Sequence, residues 1–115
     1  MTKVLVVTDR RSMLRIINNY LKDDYEVIGC STTDTLDFTD VKCLVLSTDS
    51  NWYEIARSSV KAGISFIAVT SGQDLESMLM TKILGGYNRV VPPFKKDDLL
   101  EKVKGCVLYN SDKHI

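Results

Sequence analysis

The sequence predicts an α/β protein, a three-layer sandwich in which a five-stranded parallel sheet lies between two layers of helices. Five short apolar runs, at residues 3–7, 25–30, 41–46, 64–70 and 89–91, recur along the 115 residues. They are continuous rather than alternating, the pattern of strands covered on both faces. Segments with apolar residues at helical spacing separate most of them, which implies right-handed βαβ crossovers. Sheets of this kind bind ligands beyond the carboxyl ends of their strands, near the point where strand order reverses.

Each element has its own signal. Met13, Ile16, Ile17, Tyr20 and Leu21 make one helical stripe over 12–23. The stretch 31–40, STTDTLDFTD, is rich in residues that bond to their own backbone and favour turns, so helix two is shortened to a turn or so. Ser50 or Asn51 caps a helix carrying Trp52, Ile55, Ala56 and Val60, which Gly63 ends. Residues Ser71 to Asp74 resemble a capping box, and Leu75, Met78, Leu79 and Ile83 form the expected core stripe of the next helix before Gly85 and Gly86. The last helix, from about Asp97, carries Leu99, Leu100, Val103, Cys106 and Val107, with Lys102 and Lys104 towards its carboxyl half.

Composition bounds the function. Fifteen basic and fifteen acidic residues cancel, so no basic face for nucleic acid or anionic membrane is expected. No apolar run approaches a signal peptide's core or a membrane span, which makes a cytoplasmic location the expectation. Cys30, Cys43 and Cys106 are odd in number and form no Cys-x-x-Cys pair, so buried thiols are expected rather than disulfides or zinc. His114, the sole histidine, sits at a polar terminus; no Ser-His-Asp or Cys-His set and no glycine-rich nucleotide loop is present, and an enzyme is not expected.

The four strand-end corners are Thr8-Asp9, Ser47-Thr48-Asp49, Thr70-Ser71 and Pro92-Pro93. At these corners the chain resembles the receiver domain of response regulators, a flavodoxin-like, CheY-like module that accepts a phosphoryl group on an aspartate. The resemblance spans nearly the whole chain, taken as one domain or as the receiver portion of a longer protein. It is densest from Thr70 to Phe94, TSGQDLESMLMTKILGGYNRVVPPF, which aligns with the family's threonine, helix, glycine turn, switch strand, proline and aromatic residue without a gap.

The resemblance implies a site of two adjacent acids and an acceptor aspartate holding magnesium, a threonine, and a lysine after strand five. Here Asp9 matches the second acid and Thr8 stands at the first. The acceptor position falls on Thr48, or on Ser47 in another register, with Asp49 one or two places late. In a strand one residue of slip reverses the face. Thr70 matches; Pro92 replaces the lysine and Arg89 the switch aromatic. The proline and glycine usual after the acceptor are also absent. Lys95 and Lys96 lie beyond Phe94 and read as solvated charges.

These departures predict a pseudo-receiver that works by protein contact, with no cofactor. Its expected partner is another protein or an attached output domain. The resemblance implies contact through the face of the helix after strand four, strand five and the last helix, which is also the face a homodimer would use. Met80, Leu84, Tyr87 and Arg89 are the expected switch or partner surface; Met78 and Trp52 are expected in the core. A second reading keeps Asp49 as phosphoacceptor, with Asp9 and Asp49 holding magnesium and Thr70 assisting. A plainer reading makes Asp49 or Ser50 a helix cap and Asp9 a helix-start or ion-paired carboxylate. The third function is a flavodoxin-like domain binding a small ligand at Thr8, Thr48 and Thr70.

Overall fold

The computed structural model describes residues 1–70 and 74–112; the Ser71 helix start and His114 lie outside the described residues. The chain runs β1 (Lys3–Val7), α1 (Arg11–Leu21), β2 (Glu26–Cys30), β3 (Val41–Ser47), α2 (Trp52–Lys61), β4 (Phe66–Val69), α3 (Leu75–Ile83), β5 (Asn88–Val90) and α4 (Lys96–Asp112). All strands are parallel in the order β2-β1-β3-β4-β5, as the continuous apolar runs predict. Strand order reverses between β1 and β3, so the crevice beyond Val7 and Ser47 is the expected site.

Alternate side chains along each strand feed opposite faces. Val4, Val6, Cys43, Val45, Ile67, Val69 and Val90 pack beneath α1 and α4 with Ile17, Leu21, Leu99 and Val103. Leu5, Val7, Leu44, Leu46, Phe66 and Ala68 pack beneath α2 with Trp52, Ile55 and Ala56. Each fully buried side chain of this size contributes about 1.5–3 kcal/mol. Trp52 is a core residue, whereas Ile16 of the predicted α1 stripe is exposed. Cys43 and Cys106 are buried free thiols, and Cys30 is half-buried.

No helix forms between β2 and β3. Turns occupy 32–34, and Leu36 and Phe38 of this loop pack on the core where a helix would otherwise shield it.

The predicted core stripe of α3 faces the wrong way. Leu75, Leu79 and Ile83 are 68%, 63% and 73% exposed. The buried face is instead Ser77 and Thr81, flanked by Met80 and Leu84, which pack against the core. Both sets have helical spacing, so periodicity could not choose between them. Close approach decides it: a Cβ at Gly86 would lie 2.7 Å from the Thr81 methyl and 3.0 Å from the Phe66 ring, so only glycine fits there. Gly85 (φ 90°) turns the chain out of the helix, a conformation that disfavours other residues. Met80 and Leu84 of the expected partner surface are half-buried against the core, and Met78 is half-buried as well.

Asn110 of α4 fastens the amino ends of the central strands. Its Oδ1 accepts from the Ser65 amide at 2.8 Å, and its Nδ2 donates to the Lys42 carbonyl at 2.8 Å and the Ser65 carbonyl at 3.2 Å. It is 2% exposed, so truncation leaves buried backbone groups unpaired. Asn110→Ala is expected to cost at least about 2 kcal/mol in urea unfolding, and a change under about 0.5 kcal/mol would contradict that role.

Candidate functional site

The carboxyl ends of β1 and β3 meet at Asp49. The last residue of β3 is Ser47, level with Val69 of β4. The Asp49 amide donates to the Ser47 carbonyl at 2.8 Å, a three-residue turn that folds the chain back on itself. That turn removes the face problem set by strand register and brings a residue one or two places late over the end of β1.

There Asp49 is enclosed by donors. Its Oδ2 accepts from the Thr8 hydroxyl at 3.2 Å and the Asp9 amide at 3.0 Å. Its Oδ1 lies 3.7 Å from Arg10 Nε. Arg10 Nη2 also donates to the Ser47 hydroxyl at 3.0 Å, so the guanidinium spans both residues at the end of β3. Thr8 in turn accepts from the Arg10 amide at 3.2 Å, which fixes the first turn of α1 against β1. Neither Asp49 nor Ser50 caps α2; Asn51 occupies the cap position in a left-handed conformation with no side-chain bond.

Asp9 points elsewhere. Its carboxylate accepts from the Thr32 amide at 2.9 Å and from the Thr32 hydroxyl at 2.8 and 3.0 Å. It is neither a cap of α1 nor paired with Arg10, as the plain reading of the sequence expects. The Thr32 amide and hydroxyl hold its carboxyl below the usual carboxylate range. The loop standing in for a helix thus takes the acid that the resemblance assigns to a metal.

Among the described residues, Thr48, Thr70 and Pro92 bring no charge to this crevice. Thr48 donates its hydroxyl to the Val69 carbonyl at 3.3 Å. Thr70 is 1% exposed, its amide bonds the Val90 carbonyl, and its hydroxyl has no partner among the described residues. Pro92 follows β5 and joins Pro93 through a cis peptide bond. Phe94 packs edge-on against Tyr20 at 6.1 Å.

This donor set does not fit a magnesium ion, which takes near-octahedral oxygen coordination through one or two carboxylates and water. One acid is spent on Thr32; the other accepts two hydrogen bonds and is ion-paired with Arg10. Among the described residues no three His, Cys, Asp or Glu side chains gather at a metal's reach. Sequence reasoning missed Arg10 and Thr32 as site residues, and named Ser47 only as an acceptor position in another register. The only signal was Arg10 beside Asp9, and the ion pair it makes is with the other aspartate.

On the far side of α3 lies a groove of about 350 Å³, walled by Leu75, Met78, Leu79 and Tyr87 and edged by Lys82 and Arg89. Tyr87 lies against Gly105 and packs at a 42° tilt on Tyr109, ring centroids 5.5 Å apart, which links the groove to α4. No described helix is long and apolar enough to cross a membrane.

No protein-family model matches the chain, and no curated protein matches it. Solved structures do. A response regulator receiver domain protein from Clostridium thermocellum superposes with a TM-score of 0.84 at 20% identity, over 96% of this chain and 98% of that one. A CheY-like receiver domain protein from Methanospirillum hungatei gives 0.78 at 20% identity, over 98% of both chains. NtrX from Brucella abortus gives 0.81 at 15% identity, over 97% of this chain but 27% of its own length. The chain therefore has the flavodoxin-like, CheY-like fold of receiver domains, with the segment between β2 and β3 left as a loop.

The Asp9–Thr32 bonds set a pH dependence. A carboxyl whose folded pKa is depressed contributes stability that is fully present above its unfolded pKa, near 4, and lost as pH falls through the lower folded value. Thr32→Val keeps the amide and removes the hydroxyl, so the Asp9 titration followed by carboxyl NMR should move up towards the ordinary value. An unmoved titration would show that the hydroxyl does not hold the acid.

Proposed function

We propose that this chain is a receiver-fold regulatory module of signal transduction that acts by protein contact, without conventional aspartyl phosphorylation, bound magnesium or catalytic activity of its own. The observation that carries the reading is the Arg10 guanidinium lying across Ser47 and Asp49, at the point where a phosphoryl group and its metal would have to enter.

Magnitudes support it. Driving a two-state switch from almost all off to almost all on needs about 5.5 kcal/mol. A charge-assisted hydrogen bond of the kind a lysine gives a phosphoryl group contributes about 1.5–3 kcal/mol. Pro92 cannot make that bond, Thr8 brings no charge and Asp9 is engaged with Thr32. Arg89, in place of an aromatic, removes the usual relay from the threonine.

Protein contact is supported by the other end of the molecule. Leu75, Leu79 and Ile83 line the outside of α3, and Tyr87, Leu108 and Tyr109 are 39%, 56% and 44% exposed. An exposed apolar set of this kind marks an interaction surface. The partner in this reading is another protein or an output domain in the same polypeptide.

One observation favours a second reading. The backward turn at Asp49 does bring a carboxylate to the switch point, so Asp49 with Asp9 and magnesium is the phosphoryl-accepting alternative. Incubation with magnesium and acetyl phosphate, followed by intact-mass measurement, separates the two. No phosphoryl adduct is expected. An adduct that disappears in Asp49→Asn would establish the alternative.

A further inference from the structure

The two edges of the sheet are finished differently. On β5 the residue whose amide and carbonyl point away from the sheet is Arg89, and side chains take both. The amide donates to Asn88 Oδ1 at 2.8 Å, and the carbonyl accepts from Lys102 Nζ at 2.9 Å. On β2 the Glu26 amide bonds the Thr2 carbonyl at 2.9 Å, and the Cys30 carbonyl accepts from the Thr8 amide at 3.0 Å. In a parallel ladder that turns residues 26, 28 and 30 towards β1 and leaves Val27 and Gly29 facing outward. No described residue takes up their amides or carbonyls.

Edge strands are usually closed by charges, prolines, bulges or a covering element. β2 has five residues, no proline, and Glu26 as its one charge. Its two faces differ in chemistry. On the α1 side Arg11, Leu14, Arg15 and Asn18 border Val27 and Gly29 in a shallow groove. A Cβ at Gly29 would lie 2.8 Å from Leu14 Cδ1, so α1 sits directly on the strand and carries its arginines over the edge. Both arginines are exposed, and neither is ion-paired among the described residues. On the other face Ile28, level with Leu5, is 38% exposed where a loop stands in place of a helix.

We infer that β2 takes up an extended segment of a partner protein as an added strand, in which acidic side chains alternate with apolar ones. The backbone of Val27 and Gly29 supplies the pairing, as in other strand additions. Because alternate side chains of a strand point to opposite faces, the acids meet Arg11 and Arg15 while the apolar residues cover Ile28. This rests on the reading that the module works by protein contact, and it adds a surface separate from the α3 ridge. A second copy of the chain fits less well. Two β2 strands paired about a two-fold axis would bring Arg11 and Arg15 of both copies into one groove, and like charges at an interface oppose binding.

The test is a display selection from a library of short randomised peptides, followed by binding and amide hydrogen exchange with the selected sequences. Enriched peptides should alternate Asp or Glu with apolar residues and bind one to one. They should slow exchange at the Val27 and Gly29 amides, and change it little at Glu26 and Ile28, which already pair with β1. Methylating the peptide's backbone nitrogens that face β2 should abolish binding, and methylating the intervening ones should not; this leaves the protein's own fold untouched. Replacing both exposed arginines, Arg11→Gln with Arg15→Gln, should weaken the peptides at least roughly threefold at low salt and less at high salt, the scale of exposed ion pairs. A bait carrying Arg11→Glu and Arg15→Glu should select basic residues at the same positions.

No enrichment, or binding that leaves exchange at Val27 and Gly29 unchanged, would overturn the strand addition. Peptides without acidic preference, or bound equally by the doubly substituted protein, would overturn the acidic partner. A self-association in sedimentation that Val27→Pro abolishes would overturn it too, in favour of a second copy. Protein contact through the α3 ridge stands or falls independently of these results. A phosphoryl adduct on Asp49 would instead remove the functional reading without touching the pairing at β2.

Discussion

The structure at the switch point turns on a single carboxylate. Asp49 collects the Thr8 hydroxyl, the Asp9 amide and the Arg10 guanidinium, and so ties the end of β3 to the end of β1 and the start of α1. The ion pair is not there for stability: the Arg10 side chain is 53% exposed, and pairs in water contribute at most about 1 kcal/mol. What it fixes is occupancy and charge. With the cation in place the crevice is neutralised from within, and Asp9 is left to close the neighbouring loop through Thr32.

That loop explains how a layer can lose a helix without losing its core. Asp9 holds Thr32, Asp34 accepts from the Ser31 amide at 2.8 Å, and Leu36 and Phe38 reach back onto the sheet. Two apolar side chains and a few short-range bonds do the covering that a helix would otherwise do. The departure at the site and the departure in the fold are one feature, since the same acid serves the loop.

Much of the fold was legible in the sequence because continuous apolar runs and helical stripes report burial on two faces and on one. Strand order, β2-β1-β3-β4-β5, leaves no such trace and comes from the structure. α3 was misread for a physical reason: two stripes of similar spacing compete, and small residues at Ser77, Thr81 and Gly86 let the polar-looking one approach Phe66. Composition ranks leucine above serine for the core, but close packing ranks fit. At the site, Thr8, Asp9, Thr48, Asp49 and Thr70 were legible as positions. Their partners were not, because a three-residue turn at Ser47 and an arginine reaching across strands leave no periodic trace.

In the reading proposed above, the Arg10–Asp49 arrangement takes the place of a divalent cation. Titration of the protein with magnesium, followed by amide NMR, tests this most directly. The amides of Asp9, Arg10, Thr48 and Asp49 should stay in place apart from uniform ionic-strength drift. A saturable shift confined to those residues, lost in Asp49→Asn, would show that the crevice binds the metal and contradict that reading.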